Sequence, residues 1–231
     1  MSKEPTGLDA DFFVSAGERD PVKAARDPAR ALPKRFYKEA AAGPAEQGYG
    51  IFLDGRPVNT PARRPLVAPS LPLMEAVAAE WARQGETIDP ATMPLTKLMN
   101  TALDGVATHM AEVEADTARY AGSDLICYRA EHPEELVLAE GVMFIEQPQE
   151  ALDAVSRALR DYVGQGAWAP FRLAALNVMT TLTGSVIIAL AAALHQIGAG
   201  KAWEAANVDE DWQMRAWGED VEAMARRAAR F

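Results

Sequence analysis

The spacing of apolar residues changes period at Pro69, and that change limits the chain to a few architectures. Before it, Arg35-Phe36-Tyr37 starts one extended run and Gly48 to Leu53 forms a second. Asp54-Gly55 is a strong tight-hairpin signal leading into Arg56-Pro57-Val58, and Leu66-Val67-Ala68 supplies one more short strand. After Ser70 the residues Leu73, Ala76, Val77, Glu80 and Trp81 keep helical spacing. Further helices are expected over 95–103, 106–121, 150–162, 171–197 and 208–229. Strands first and helices after is the α+β pattern, a small antiparallel β-rich N-terminal domain followed by a larger all-helical C-terminal domain. The boundaries fall at 1–33 for a loosely ordered arm, 34–69 for the β-rich domain and 70–231 for the helical one. The arm reads as such because Asp20-Pro21, Asp27-Pro28 and Leu32-Pro33 break any helix, although its Phe12-Phe13-Val14 is apolar enough to clamp onto the body. It carries no secretory signal, and with a single Cys in 231 residues the chain fits a reducing compartment.

The most apolar stretch runs from Leu173 to Ile197. A membrane span needs about twenty nearly unbroken apolar residues, and here Asn177, several threonines and serines, Gly184 and His195 interrupt. The expectation is a buried central helix, with Gly184 and Ser185 letting a neighbouring helix approach closely.

Charge gathers near the C-terminus. Of the formal net −10, the segment Glu204 to Glu222 contributes −6, from seven acids and one base, Arg215. Such a run repels nucleic acid and anionic lipid and steers a basic protein patch toward itself. Asn207 is placed to cap a helix beginning at Val208, with Glu210 in capping-box position. Met214, Trp217, Val221, Met224, Ala225 and Ala228 then form the stripe expected to be buried. Trp212 falls opposite, with Asp211, Arg215, Glu219, Glu222 and Arg226. A tryptophan on a charged face is either covered by another helix of the same chain or is an interface anchor.

No residue set names a reaction. Cys127 sits between apolar and aromatic neighbours, as small buried cysteines do. His109, His132 and His195 are scattered, which gives no metal spacing. Gly198-Ala199-Gly200-Lys201 lacks the spacing of a phosphate loop. Asp104 with Glu114 or Asp116 is an acid pair of the sort common on helix surfaces. An enzyme using Cys127 and a membrane-associated scaffold built on 173–197 are the rival classes. No metal and no cofactor is expected.

Several motifs occur in one order: Leu53-Asp54-Gly55-Arg56-Pro57-Val58-Asn59-Thr60-Pro61, Glu80-Trp81, Ile88 to Thr96, Asn100-Thr101-Ala102-Leu103-Asp104-Gly105, Ser123 to Ala130, Thr183-Gly184-Ser185 and Asp209 to Glu222. Together, from about Lys34 to the C-terminus, they resemble the F-type ATP synthase assembly chaperones that act on the α subunit of the catalytic head, the Atp-twelve family. The resemblance implies a non-enzymatic, monomeric, cytoplasmic protein that holds unassembled α subunit until β subunits replace it, with no nucleic acid partner and no stable membrane insertion. With the acidic run, it marks Glu210, Asp211, Trp212, Gln213, Arg215, Trp217, Glu219 and Glu222 as client contacts, and Trp81, Asp54, Gly55, Asp104 and Gly184 as structural. One departure stands out: Pro133-Glu134-Glu135-Leu136 runs almost directly into Leu138 to Val142, where the family carries a further helix's worth of residues.

Overall fold

The computed structural model describes residues 32–129 and 143–218 together with Met224 and Arg227. Residues 1–31 of the N-terminal arm and the departure near 131–140 lie outside them. The described residues have an α+β fold and form two compact units, one within Met1–Thr108 and Gly166–Phe171, the other within His109–Gln165 and Arg172–Phe231.

In the first unit, strand β1 (Ala40–Ala45) pairs antiparallel with β2 (Gly48–Leu53) along its whole length, Ala40 opposite Leu53 and Ala45 opposite Gly48. The other edge of β2 carries β3 (Arg56–Pro57) and β4 (Val67–Ala68) at separate positions. Asp54 and Gly55 turn β2 into β3 with φ of 48° and 78°, the left-handed pair a two-residue hairpin requires. Gly48 is the one residue type that fits its place. Its φ is +124°, and a Cβ there would lie 2.6 Å from the Ala68 carbonyl oxygen.

The first strand differs from the sequence expectation. Arg35-Phe36-Tyr37 forms no strand; the Arg35 N–H donates to the Glu86 carbonyl and Lys34 bridges Thr87. The strand falls instead on Ala40–Ala45, whose alanines, glycine and proline have little intrinsic strand preference. Pairing with β2 overrides that preference, and Pro44 is tolerated because β1 is an edge.

Helix α1 (Leu71–Ala82) starts at Ser70, whose hydroxyl oxygen accepts the Leu73 N–H at 3.4 Å. It lays Met74, Val77, Ala78 and Trp81 against the sheet, in a core shared with Tyr37, Ile51, Leu53, Leu66, Ile88, Met93 and Met99. Strand gives way to helix at Pro69, then, but α1 and the helix after it group with the sheet, and compactness changes at Thr108. That next helix, α2 (Pro94–Asn100), runs on through a π turn at Thr101–Gly105.

The second unit holds α3 (Met110–Arg119), the strand pair β5 (Tyr128–Arg129) and β6 (Met143–Phe144), α4 (Gln149–Val163), most of α5 (Ala169–Thr183), then α6 (Val186–Ala193), α7 (Ala199–Ala206) and α8 (Val208–Trp217). The single helix expected over 171–197 is two. Gly184 has φ +67°, and Ser185 starts α6 by accepting the Ile188 N–H at 3.0 Å. Nothing lies within 4 Å of where a Gly184 Cβ would sit, so glycine is needed there for its backbone conformation and not for close helix approach. Asp124, fully buried, pins the break: one carboxylate oxygen accepts the Ile126 N–H and the other the Ile187 N–H, while Leu125 N–H donates to the Gly184 carbonyl. Among the described residues no helix is long and apolar enough to cross a membrane.

Candidate interaction surface

Helix α8 begins at Val208, as its spacing predicts, but its cap differs. Asn207 sits at φ −122° and ψ 19° and makes no side-chain cap bond. Its amide donates instead to the Trp203 carbonyl at 2.7 Å, at the end of α7. The capping box expected with Glu210 is therefore absent, because α7 ends one residue before α8 and draws the asparagine side chain backwards. Asp209, Glu210 and Asp211 fill the first turn of α8, where the helix dipole favours negative charge. The helix closes after Trp217 at Gly218, whose φ of +93° takes the chain out of the helical path; the continuous helix expected to Ala229 stops there.

The expected contact residues fare differently from one another. Glu210 and Gln213 are exposed, and the Gln213 amide donates to the Asp209 carboxylate one turn back at 2.8 Å. Arg215 is exposed, and its Nε donates to the Asp211 carbonyl at 3.2 Å. Trp212 is half-buried. Trp217 is the last residue of the helix. Glu219 and Glu222 lie outside the described residues. Met224, assigned to the buried stripe, is 38% exposed. The break at Gly218 ends the helical register on which that assignment depended.

Asp211 is engaged within the chain. Its carboxylate accepts a hydrogen bond from Arg227 Nη1 and forms an ion pair with it, the two side chains being 34% and 16% exposed. Its hydrogen bond to Asp211 holds the Arg227 guanidinium above its usual pKa, against the opposing effect of burial, and the charge of Glu210 adds to it. Sequence reading missed Arg227. No local signal ties residues 211 and 227, which a continuous helix would have set more than four turns apart.

The five residues expected to be structural are placed as follows. Trp81 is 1% exposed in the core of the first unit, its ring centroid 5.7 Å from that of Tyr37. Asp54 accepts the Lys38 and Glu39 N–H groups, Glu39 at 2.8 Å, and these bonds hold its carboxyl below the usual range. Gly55 completes the hairpin turn. Asp104 accepts the Thr60 hydroxyl at 2.6 Å and the Ala62 N–H at 3.0 Å, tying the π turn to the loop after β3. Gly184 marks the break before α6. Cys127 is 3% exposed, with its sulfur 3.9 Å from the Ala121 carbonyl oxygen, a poor position for a nucleophile. Among the described residues no three histidine, cysteine or acidic side chains gather as metal ligands would.

The comparisons agree on one family. The model for the ATP12 chaperone protein matches residues 34–146. The crystal structure of the Atu1473 protein from Agrobacterium tumefaciens is similar with a TM-score of 0.80 and 40% identity, over 96% of this chain and 90% of that one. The crystal structure of Atp12 from Paracoccus denitrificans is similar with a TM-score of 0.75 and 33% identity, over 86% and 92%.

Proposed function

The chain belongs to the ATP12 chaperone family, and we propose that its client is the unassembled α subunit of the F-type ATP synthase catalytic head, covered until β subunits take its place. The observation that carries this reading is the family match itself, which joins a family model over 34–146 to solved relatives above 30% identity over most of the chain. In this reading the protein catalyses nothing, needs no cofactor and works as a monomer in the cytoplasm.

The chemistry asked of such a protein is modest. A subunit awaiting assembly exposes apolar and partly basic surface that aggregates if left open. An acidic face speeds encounter with it, and an aromatic side chain supplies apolar area that is released on exchange. Helix α8 offers both, in Glu210 and Trp212. A tryptophan presents roughly 150–250 Å². Because Trp212 is already half-buried, completing its burial at about 25 cal/mol per Å² contributes on the order of 2–3 kcal/mol before association entropy is subtracted. That suits a complex made to be exchanged.

Co-purification tests the reading. The tagged chain, co-expressed with untagged α or untagged β subunit singly, should retain α and not β. Retention of both, or of neither, would overturn the assignment.

A further inference from the structure

The acidic turn of α8 is already answered by a base of the same chain. Arg227 lies sixteen residues beyond Asp211, its guanidinium bonded to the Asp211 carboxylate and its side chain only 16% exposed. Gly218, which ends α8, holds a backbone conformation that L side chains resist. The charge pattern matches: α8 has three acids in its first turn, while Ala223 to Phe231 holds three arginines and no acid. A partly covered guanidinium on an acidic face is also what a basic client would place there.

We propose that Arg227 is an autoinhibitory contact, occupying the Asp211 carboxylate in the free chain, and that an arginine-bearing client segment must displace it to seat on α8. The proposal rests on the reading of α8 as the client surface. It names the client chemistry that Asp211 accepts, a guanidinium, whose planar fork matches a carboxylate better than an ammonium does. Partly exposed ion pairs are weak, so the contact yields to a client that brings apolar area as well, yet it keeps the acidic face from holding stray basic proteins. Occupancy by Arg227 lowers apparent client affinity by the fraction of chains in the open state.

The test uses the full chain with two substitutions, Arg227→Gln and Asp211→Asn, and two measurements. Hydrogen exchange over 208–218 reads the contact itself and should accelerate in both variants. Binding of isolated α subunit at low salt should tighten about two- to five-fold in Arg227→Gln, the range open to a partly exposed ion pair, and weaken in Asp211→Asn. The gain should fade at high salt, where exposed charges are screened. Unchanged exchange in both variants would overturn the contact. Accelerated exchange with weaker α binding in Arg227→Gln would overturn autoinhibition and make Arg227 a structural brace. If α subunit binds neither the wild-type chain nor the variants, the client reading fails and the competition with it, while exchange still decides the contact.

Discussion

Thr96 is joined to Glu80 twice: its backbone N–H and its hydroxyl both donate to one carboxylate oxygen, each at 2.8 Å, while the other oxygen takes the Leu95 N–H at 2.7 Å. A carboxylate on α1, in a residue 2% exposed, thus closes the N-terminus of α2, where helical N–H groups have no partner of their own. Glu80→Ala leaves three donors unmet, two of them buried, and should lower stability by about 3 kcal/mol. Glu80→Gln keeps the volume and one acceptor and should lose about half as much. Urea unfolding separates the two. Wild-type stability in Glu80→Ala would show that water satisfies these donors.

Trp81 follows Glu80 into the apolar side of the same interface. Replacing it with arginine puts an unpaired charge among Tyr37, Ile51, Met74 and Met99, and stability should fall by several kcal/mol. Any loss of client binding would then be secondary to unfolding. A Trp81→Arg chain with an unchanged melting temperature and no client binding would move Trp81 from core to contact surface.

Tyr37 gives the fold an alkaline limit. Its hydroxyl donates to the Trp81 carbonyl at 2.7 Å, and burial pushes the phenol above its ordinary 10.0, with Arg35 pulling the other way. A folded value above the unfolded one means the contribution is full below pH 10 and is lost as pH rises through the folded value. Tyr37→Phe should therefore be less stable than the wild type by about 1 kcal/mol at neutral pH, and the gap should close above pH 10. A gap that stays constant to pH 11 would contradict this account of the phenol.

On α8, charge and apolar area should show up in different rate constants. Glu210→Lys should slow association with α subunit, and the defect should shrink as salt rises. Trp212→Ala should speed dissociation and do so at any salt, at about 2 kcal/mol if Trp212 anchors the contact. If neither variant alters either rate while both stay folded, the client site lies elsewhere.

What was legible in the sequence depended on whether the signal was local. The Asp54-Gly55 turn, the helix at Ser70 and the start of α8 at Val208 each rest on a few adjacent residues, and all three stand. Strand β1 was not legible, because Ala40–Ala45 becomes a strand only through its pairing with β2. The break at Gly184 is not legible, and Gly184 itself reads as a packing feature, because a glycine inside an apolar run looks the same whether it serves contact or positive φ. Glu80 with Thr96, Asp124 with Ile187 and Asp211 with Arg227 join residues 16, 63 and 16 apart, and no periodicity encodes such pairs. Sequence spacing therefore located α8 as a candidate surface, but not the arginine already seated on it.

Client choice shows most directly in aggregation. Isolated α subunit diluted from denaturant should scatter light strongly alone and little with an equimolar amount of this chain, while isolated β subunit treated the same way should scatter equally with and without it. Equal protection of α and β, or protection of neither, would contradict the account.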